Sequence, residues 1–472
     1  MRAVVVGAGP NGLTAAAVLA RAGVEVTIIE RQDAVGGAAT SAPVFGEGTI
    51  VDLGAAAHPF GIASHAFREL ELERYGLEWA HPPIPVAHPL PGGRAAFAFR
   101  EMDRTARQLG VDARAWRRLH EPLVRRPLDV AESIFAPPLG VPPHPLLMAS
   151  IGARGALPAS VLTRLAFRSG AARALLAGSA THATLPLGRP LTSAFGIAFG
   201  AAAHSLGWPF ARGGTGRITA ALLDVATAHG ARLELGREVR DLRELPDADF
   251  TLLDLTPRQI MTIAEGRLAP AYAFRLAAWR YGPAVSKADF LLDGPVPWID
   301  PRVAEAGTVH LGGRIEEIEA AERAVAAGRM PERPFILITQ PSVADPSRAP
   351  EGRHVLWAYA HVPHAWPGDA GDRIEAEIER WAPGFRERIL ARRTSPPAAL
   401  EAWNPNLVGG SIGGGSIDVD QQLARPRPFS PYRVPVRGRD GVFLCSSSAA
   451  PGGGAHGMAG WHAAKAVLAR LR

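Results

Sequence analysis

Three glycines near the start of the chain, Gly7, Gly9 and Gly12, stand between an apolar strand pattern and an alanine-rich helix pattern. The full segment is VVVGAGPNGLTAAAVLARAGVEVTIIE, and it returns to a strand that ends at Glu30. Gly7 permits a tight turn, Gly9 lets a pyrophosphate approach the backbone, and Gly12 lets the helix pack closely on the strand. A carboxylate at the end of the second strand can accept hydrogen bonds from ribose hydroxyls. The segment is a complete βαβ unit and predicts dinucleotide binding.

A second glycine-rich turn precedes the last predicted helix, in the segment APGGGAHGMAGWHAAKAVL between Ala450 and Leu468. Glycines before a helix let a ligand reach bare backbone N–H groups, and the helix N-terminus carries partial positive charge. The turn could therefore hold a polar or anionic group. Taken alone, the same pattern is equally typical of a turn that binds nothing.

Two side chains outside the glycine turns could carry acid–base chemistry. Only Lys287 and Lys465 are lysines among 51 basic residues, and a lysine can change its protonation state where an arginine cannot. Lys287 lies in a predicted strand, where a salt-bridged or solvent-seeking lysine is the structural alternative. His58 could act as an acid, a base or a hydrogen-bond partner near neutral pH. Its alternative is a structural role, bonded to local backbone before Pro59.

Composition narrows the class of protein. A chain of 472 residues with 47% hydrophobic residues can bury more than one core, so we expect two connected domains. The net charge of +6 is spread along the chain, which argues against nucleic-acid binding. The single cysteine, Cys445, excludes an internal disulfide and a cysteine-rich metal site, and we expect no bound metal.

The expected location follows from the apolar runs. None reaches the roughly 18 to 20 residues that span a bilayer, and the chain begins directly with a strand, so we expect a cytoplasmic protein without a signal peptide. The basic segment RAWRRLHEPLVRRPLDV is followed by the apolar, proline-rich APPLGVPPHPLLMASIG. This combination fits either a solvated helix face or a patch that contacts a membrane surface. Peripheral membrane contact therefore stays open.

Further segments carry a family resemblance. ERQDAVGGAATS places Arg31 beside Glu30 and a glycine pair after the second strand, and VDLGAAAHPF follows. Together with the PGGG turn, they resemble the flavoprotein superfamily of amine oxidases and phytoene (carotenoid) desaturases. WPFARGGTGRITAALLDVATAHGARLELGREV looks like a third piece of the family's cofactor domain. WRYGPAVSKADFLLDGPVPW, RIEAEIERWAPGFRERIL and NPNLVGGSIGGGSID are similar, more narrowly, to bacterial phytoene-dehydrogenase-related oxidoreductases.

The resemblance implies noncovalent FAD as the cofactor. It places the second glycine turn over the pyrophosphate and the pyrimidine edge of the flavin. The implied FAD contacts, including those of the βαβ unit, are Gly7, Gly9, Gly12, Glu30, Arg31, Gly36, Gly37, Thr40, Gly54, Val239, Ser446, Gly453, Gly454, His456, Gly457 and Met458. Related amine oxidases carry a lysine that binds a water at flavin N5, which makes Lys287 a predicted catalytic residue. His58 is the second, because the segment after Asp52, Leu53 and Gly54 passes the flavin in related folds. Ser446 replaces a glycine of the desaturases, which leaves carotenoid specificity unsupported.

The predicted fold is α/β. A discontinuous, doubly wound Rossmann-type FAD-binding domain is expected from residues 1–95, 205–262 and 432–472. Residues 96–204 and 263–431 are expected to form a second, α+β substrate domain. Its segments AVSKADFLL, RPFILITQPSV and RHVLWAYAHV alternate or run apolar over strand lengths, which predicts a mixed sheet. The stretch from Pro158 to Leu176 has helical spacing.

The predicted function is an FAD-dependent oxidoreductase that transfers hydride from a largely apolar, isoprenoid- or lipid-like substrate to flavin N5. Only one complete dinucleotide fingerprint is present, so electrons would leave to oxygen, a quinone or another protein. A flavin-dependent isomerase, which returns the hydride, and an amine oxidase are the enzymatic alternatives. A flavin-binding partner protein without turnover is the alternative from a different class.

Overall fold

The structure is a computed structural model that describes residues 1–427 and 429–471. Within these residues the chain forms two larger sheets, one parallel and one mixed, and each packs on its own hydrophobic core. We call the part built on the parallel sheet the first domain and the part built on the mixed sheet the second domain. The predicted α/β class, with a Rossmann-type domain and a second domain that carries a mixed sheet, is confirmed.

Five parallel strands of the described chain form the sheet of the first domain. They come from stretches at the start, the middle and the end of the sequence, so the domain is discontinuous. The inner strands are short, largely apolar runs such as RAVVV or FTLL, which suits a parallel sheet covered on its faces, whereas the edge strand Arg232–Glu234 is more polar. In spatial order the strands are Val442–Leu444, Phe250–Leu253, Arg2–Val6, Glu25–Ile29 and Arg232–Glu234.

The helix Pro10–Arg21 lies inside the first domain, and most of its residues are buried. It packs against the helices Gly216–Ala228 and Met458–Leu468. The terminal helix comes so close that a Cβ atom at Gly460 would lie 1.9 Å from the carbonyl oxygen of Asn11. Only glycine fits at this position, and the first and last helices are therefore fixed side by side.

The sheet of the second domain is mixed. Most neighbouring strands are antiparallel, but Ala306–Leu311 runs parallel to Ile84–Leu90. The three segments predicted as strands of this domain all lie in it. In spatial order its strands, among the described residues, are Ile389–Ser395, Ala284–Asp293, Arg353–Val362, Ile336–Thr339, Ala306–Leu311, Ile84–Leu90 and Arg94–Ala98.

Two predicted domain boundaries need correction. The strands Ile84–Leu90 and Arg94–Ala98 pair within the sheet of the second domain, so the first domain does not extend to residue 95. The helix Pro270–Ala277, predicted in the second domain, buries Tyr272 and Leu276 in the core of the first. Both errors have one cause, because the pattern within a segment does not reveal which distant strand or core the segment joins.

The insertion that follows Arg94–Ala98 is helical, in agreement with the spacing predicted there. Its helices are Met102–Gln108, Ala113–Val124, Pro127–Phe135, Pro145–Ala156, Ala159–Ala166, Gly170–Ala180 and Thr192–His204. Further helices are His65–Glu69, Pro257–Ile263, Ile315–Ala326, Pro341–Ala344, Gly371–Trp381, Pro397–Trp403 and Val419–Leu423. Small antiparallel pairs join Ser41–Ala42 to Val51–Asp52 and Trp79–Ala80 to Phe210–Ala211.

In the described part of the chain, no single helix has both the length and the hydropathy that crossing a membrane requires. The consecutive helices Pro145–Ala156 and Ala159–Ala166 reach that length and composition only together, and they are bent by 99° at their junction.

A buried ion-pair network joins the two domains. The Arg348 side chain is fully buried, with Nη2 2.9 Å from an oxygen of Asp52 and Nε 3.2 Å from an oxygen of Asp345. The other oxygen of Asp52 accepts hydrogen bonds from the hydroxyl of Ser41 and the backbone N–H of Thr215. Because two carboxylates neutralise the charge of Arg348, this network can stay buried and hold the loops of both domains together.

Candidate functional site

A cavity of about 910 Å³ lies between the two domains. The predicted site residues that line it are Gly7, Gly9, Glu30, Arg31, Gly37, Thr40, Gly54, His58, Val239, Lys287, Gly453, Gly454 and His456. The structure thus brings both glycine turns and both predicted catalytic residues to one space.

Five predicted cofactor contacts lie behind the cavity wall instead of lining it: Gly12, Gly36, Ser446, Gly457 and Met458. Gly12 and Gly457 allow close packing. A Cβ atom at Gly12 would lie 2.0 Å from the carbonyl oxygen of Gly7, and one at Gly457 would lie 2.2 Å from the hydroxyl oxygen of Thr14. The backbone N–H of Gly36 donates to the carbonyl of Ala8. The hydroxyl of Ser446 donates to the carbonyl of Leu255. Met458 is fully buried in the first core. These five residues support the turns that line the cavity.

The carboxylate of Glu30 holds the first glycine turn in place. One oxygen accepts the backbone N–H of Ala8 at 2.8 Å, and the other accepts that of Gln32 at 2.9 Å. Glu30 is 8% exposed and lines the cavity. A carboxylate has about four acceptor positions, so this one can still receive ribose hydroxyls after binding two backbone donors.

Asp254, which the sequence analysis missed, lies at the N-terminus of the first helix. Its carboxylate accepts the backbone N–H of Gly12 at 2.9 Å, and a Cβ atom at Gly9 would lie 2.8 Å from one of its oxygens. Burial raises the pKa of Asp254 to about 7, the charge of Glu30 adds to this, and the Gly12 bond opposes it. Its position just after the apolar strand Phe250–Leu253 was the available signal, because ligands of parallel sheets bind beyond the carboxyl ends of strands.

The second glycine turn is shaped by His456. Its Nδ1 accepts the backbone N–H of Met458 at 3.1 Å, and its carbonyl accepts the hydroxyl of Ser64 at 2.7 Å. Burial lowers the pKa of His456 to about 4, so the imidazole is neutral at physiological pH. The turn packs against the segment GGSIGGG, where a Cβ atom at Gly453 would meet the backbone of Gly413 at 3.1 Å. His456 is therefore a capping residue of the terminal helix as well as part of the cavity wall.

Lys287 lies in the strand Ala284–Asp293 and lines the cavity. Its ammonium group pairs with both carboxylate oxygens of Asp289, and both side chains are almost fully buried. Its Nζ also lies 5.5 Å from the ring centroid of Trp357. Burial lowers the pKa of Lys287 and raises that of Asp289, and each partner opposes the shift of the other. Lys287 therefore both lines the cavity, as predicted, and forms a salt bridge, as the structural alternative expects. A catalytic role for Lys287 stays a prediction.

His58 is bound to a distant residue, not to local backbone. Its Nε2 lies 2.8 Å from the hydroxyl of Thr215, which also bonds the carbonyl of Ala55. Burial lowers the pKa of His58 to about 4; the charge of Asp52 opposes this shift. The ring is therefore neutral and anchored to the same loop that the Asp52–Arg348 network holds. An acid–base role for His58 stays a prediction.

An aromatic wall, also missed from the sequence, closes the other end of the cavity. Phe199 contacts Phe60 edge-on at a centroid distance of 4.8 Å and stacks on His182 at 4.2 Å. Nε2 of His182 lies 3.2 Å from Nε2 of His310, so one of these two rings donates a hydrogen bond to the other. Burial, together with the neighbouring His361, lowers the pKa of His182 to about 3. Phe199 and His182 come from the insertion, where the sequence carries the weakest resemblance.

Negative charge is confined to one end of the cavity. Among the described residues, the acids that line it are Glu30, Glu238 and Asp254, all in the first domain. The aromatic end, by contrast, is lined by rings and aliphatic side chains. A ligand bound there meets no carboxylate.

Comparisons with known proteins agree with this geometry. A family model described as an NAD(P)-binding Rossmann-like domain matches residues 5–70. The chain is 28% identical to pyridine nucleotide-disulfide oxidoreductase domain-containing protein 2 of Rattus norvegicus, over 100% of this chain and 94% of that protein. It is 27% identical to phytoene dehydrogenase of Streptomyces griseus, over 96% of this chain and 91% of that protein.

The fold is also that of a solved oxidase. A structure of putrescine oxidase bound to putrescine has a TM-score of 0.63 to this chain, with 17% identity over 100% of this chain and 98% of that one. The sequence relatives and this shared fold confirm the predicted superfamily and the predicted class of enzyme, an oxidoreductase.

The role of Glu30 can be tested with Glu30→Gln. An amide cannot accept two backbone N–H bonds and the ribose hydroxyls together, so we expect a loss of roughly 1.5 to 3 kcal/mol in dinucleotide binding. Fluorescence titration of cofactor-free protein with FAD measures this loss. Glu25→Gln, at the exposed start of the same strand, is the matched control. Equal affinity in both variants would show that Glu30 does not contact the cofactor.

The raised pKa of Asp254 predicts a pH-dependent affinity. If the pyrophosphate of a dinucleotide binds at the first glycine turn, the Asp254 carboxylate that is ionised above about pH 7 would repel it, whereas the neutral acid below that pH would not. FAD affinity should fall by up to about tenfold per pH unit as the pH rises above 7. Asp254→Asn should remove this dependence. Asp249→Asn, at the exposed residue just before the strand Phe250–Leu253, should keep it, and a flat wild-type profile would contradict the assignment.

Proposed function

We propose that this protein is an FAD-dependent oxidoreductase that removes hydride from a largely apolar substrate. The observation that carries the proposal is the continuity of one cavity, which joins two glycine turns to an aromatic, carboxylate-free end. Such a space suits a phosphorylated cofactor beside an apolar molecule. The similarity to phytoene dehydrogenase and the fold shared with putrescine oxidase support an oxidoreductase in this cavity.

The residues of the first domain fit FAD. The carboxylate of Glu30 retains acceptor positions for ribose, and the glycine turn before the first helix leaves room for the pyrophosphate. Bound FAD supplies a hydride acceptor at flavin N5. Cys445 is buried, does not line the cavity, and has its thiol pKa raised by burial. We therefore propose that FAD is held without a covalent bond to this cysteine.

The second domain supplies the groups that would act on the substrate. Formation of a C=C bond by dehydrogenation releases one proton with each hydride, and this proton must pass to a base or to water. His182 lines the aromatic end, where its hydrogen bond to His310 fixes a neutral ring that can position the substrate; its lowered pKa makes it a weak base. The Lys287–Asp289 pair provides a polar point on the mixed sheet that can hold a water molecule or a polar substrate atom. The aromatic rings exclude bulk water from the same space.

The electrostatics of the cavity disfavour a charged amine as substrate. A buried ammonium group requires a carboxylate partner, and the acids of the described cavity wall all lie at the first-domain end. An isomerase, which returns the hydride to the product, would use the same residues. These alternatives are separated by the response of the flavin to added compounds.

The purified protein should be yellow, and acid precipitation should release its flavin into the supernatant. Under anaerobic conditions, an isoprenoid alkene such as geranylgeraniol should bleach the flavin, whereas benzylamine should not. Product without net bleaching would indicate an isomerase, and no response to either compound would favour a binding protein. Flavin retained in the pellet would contradict noncovalent binding, and an absorbance spectrum without flavin bands would refute the proposal.

A role of Lys287 at the flavin can be separated from its ion pair by a double variant. Lys287→Met alone leaves Asp289 buried without a partner and should cost about 3 to 5 kcal/mol of stability. Adding Asp289→Asn should restore the melting temperature, because no unpaired charge remains. If Lys287 acts on the flavin or its water, the double variant should still show slow flavin reduction or reoxidation in stopped-flow measurements.

Two controls complete this test. Lys465→Met removes the other lysine, which pairs with Glu69 at the surface, and should leave both half-reactions unchanged. Lys287→Arg should not rescue the rates, because a planar guanidinium cannot replace a compact ammonium. Wild-type rates in the double variant would assign Lys287 to the fold alone.

A further inference from the structure

The chain buries two arginines completely, and only one of them has acidic partners among the described residues. Arg348 lies between Asp52 and Asp345, as described above. Arg425 is 1% exposed, and no carboxylate of the described chain lies within 4.0 Å of its guanidinium nitrogens. Arg425 also lines the cavity, whereas Arg348 does not.

Neutral groups hold the Arg425 guanidinium in place. Its Nη1 donates to the side-chain oxygen of Gln422 at 2.9 Å, and its Nη2 donates to the carbonyls of Gly415 at 2.9 Å and Gly413 at 3.2 Å. Its Nε is buried and has no partner within the described structure. Burial lowers the pKa of Arg425 to about 10, so the group is still charged at neutral pH. The carbonyl dipoles orient this cation but do not neutralise it.

The guanidinium lies beside the second glycine turn. A Cβ atom at Gly452 would come within 2.5 Å of Nη1 of Arg425, and Gln422 donates to the carbonyl of Pro451 at 3.0 Å. The turn and the arginine therefore face the cavity together. An unpaired buried charge is costly, and an anion in the adjacent cavity would satisfy it.

We propose that Arg425 binds the negative charge of the bound cofactor. This inference rests on the proposed function, because it takes FAD as the molecule in the cavity. FAD offers two sources of such charge: the pyrophosphate, and the isoalloxazine ring, which can carry a negative charge once it is reduced. Either source would form charge-assisted hydrogen bonds with the guanidinium. Arg425 is then a positioning residue of the cofactor site that no motif in the sequence marks.

The test uses Arg425→Met, which removes the charge and keeps a long side chain, and Arg427→Met, an arginine two residues away that does not line the cavity. Two quantities are measured on each protein: the dissociation constant of FAD and the midpoint potential of the bound flavin. If the partner is the pyrophosphate, Arg425→Met should weaken FAD binding roughly tenfold or more. If the partner is the reduced ring, the affinity for oxidised FAD should stay and the potential should become more negative.

Unchanged affinity and unchanged potential in Arg425→Met, relative to Arg427→Met, would overturn the proposal. If Arg425→Met does not fold, the same measurements are made on Arg425→Gln. This variant has no charge but keeps a hydrogen-bond donor for the Gly415 carbonyl. Arg425→Lys retains the charge and should preserve the potential better than either neutral variant.

A third measurement separates this proposal from the proposed function. At constant ionic strength, inorganic pyrophosphate should raise the melting temperature of cofactor-free wild-type protein, and Arg425→Met should lose that shift if the pyrophosphate is the partner. A wild-type protein that binds no FAD but keeps an Arg425-dependent shift would refute the proposed function and retain the anion site. Absence of both FAD binding and the shift would refute both.

Discussion

The close packing of the first and last helices is the constraint on which the site depends. Gly460 rests on the backbone of Asn11, so the terminal helix cannot slide or rotate against the first helix without a clash. Each of these helices begins at a glycine-rich turn, and the contact therefore fixes the spacing of the two turns. A single cavity lined by residues from opposite ends of the sequence follows from this contact.

Charge is divided unequally around that cavity. The first domain supplies its acids, and Glu30 is already satisfied in part by backbone donors. The second domain contributes Lys287, whose charge is met by Asp289, and histidines that burial keeps neutral. Few charged groups at the aromatic end can therefore orient a ligand. Its orientation has to come from shape and from contact with the rings, which suits an apolar molecule.

Local interactions explain what the sequence could predict. The βαβ unit, the second glycine turn and the strand patterns are each contained in one short segment, and the structure has them all. Long-range partners explain what it could not predict. Asp254 bonds a residue 242 positions away, and the strand Ile84–Leu90 pairs with Ala306–Leu311. Phe199 lies in a helix whose spacing indicates only a buried face, and Phe60 and His182 lie in short turns that join it only in the fold.

The discontinuous parallel sheet also has a consequence during synthesis. The strand Phe250–Leu253 receives its outer neighbour, Val442–Leu444, only when that much later segment has left the ribosome. Until then its unpaired N–H and C=O groups form an exposed sheet edge, which is a site for aggregation. Folding of the parallel sheet can therefore be completed only after the segment Val442–Leu444 has been made.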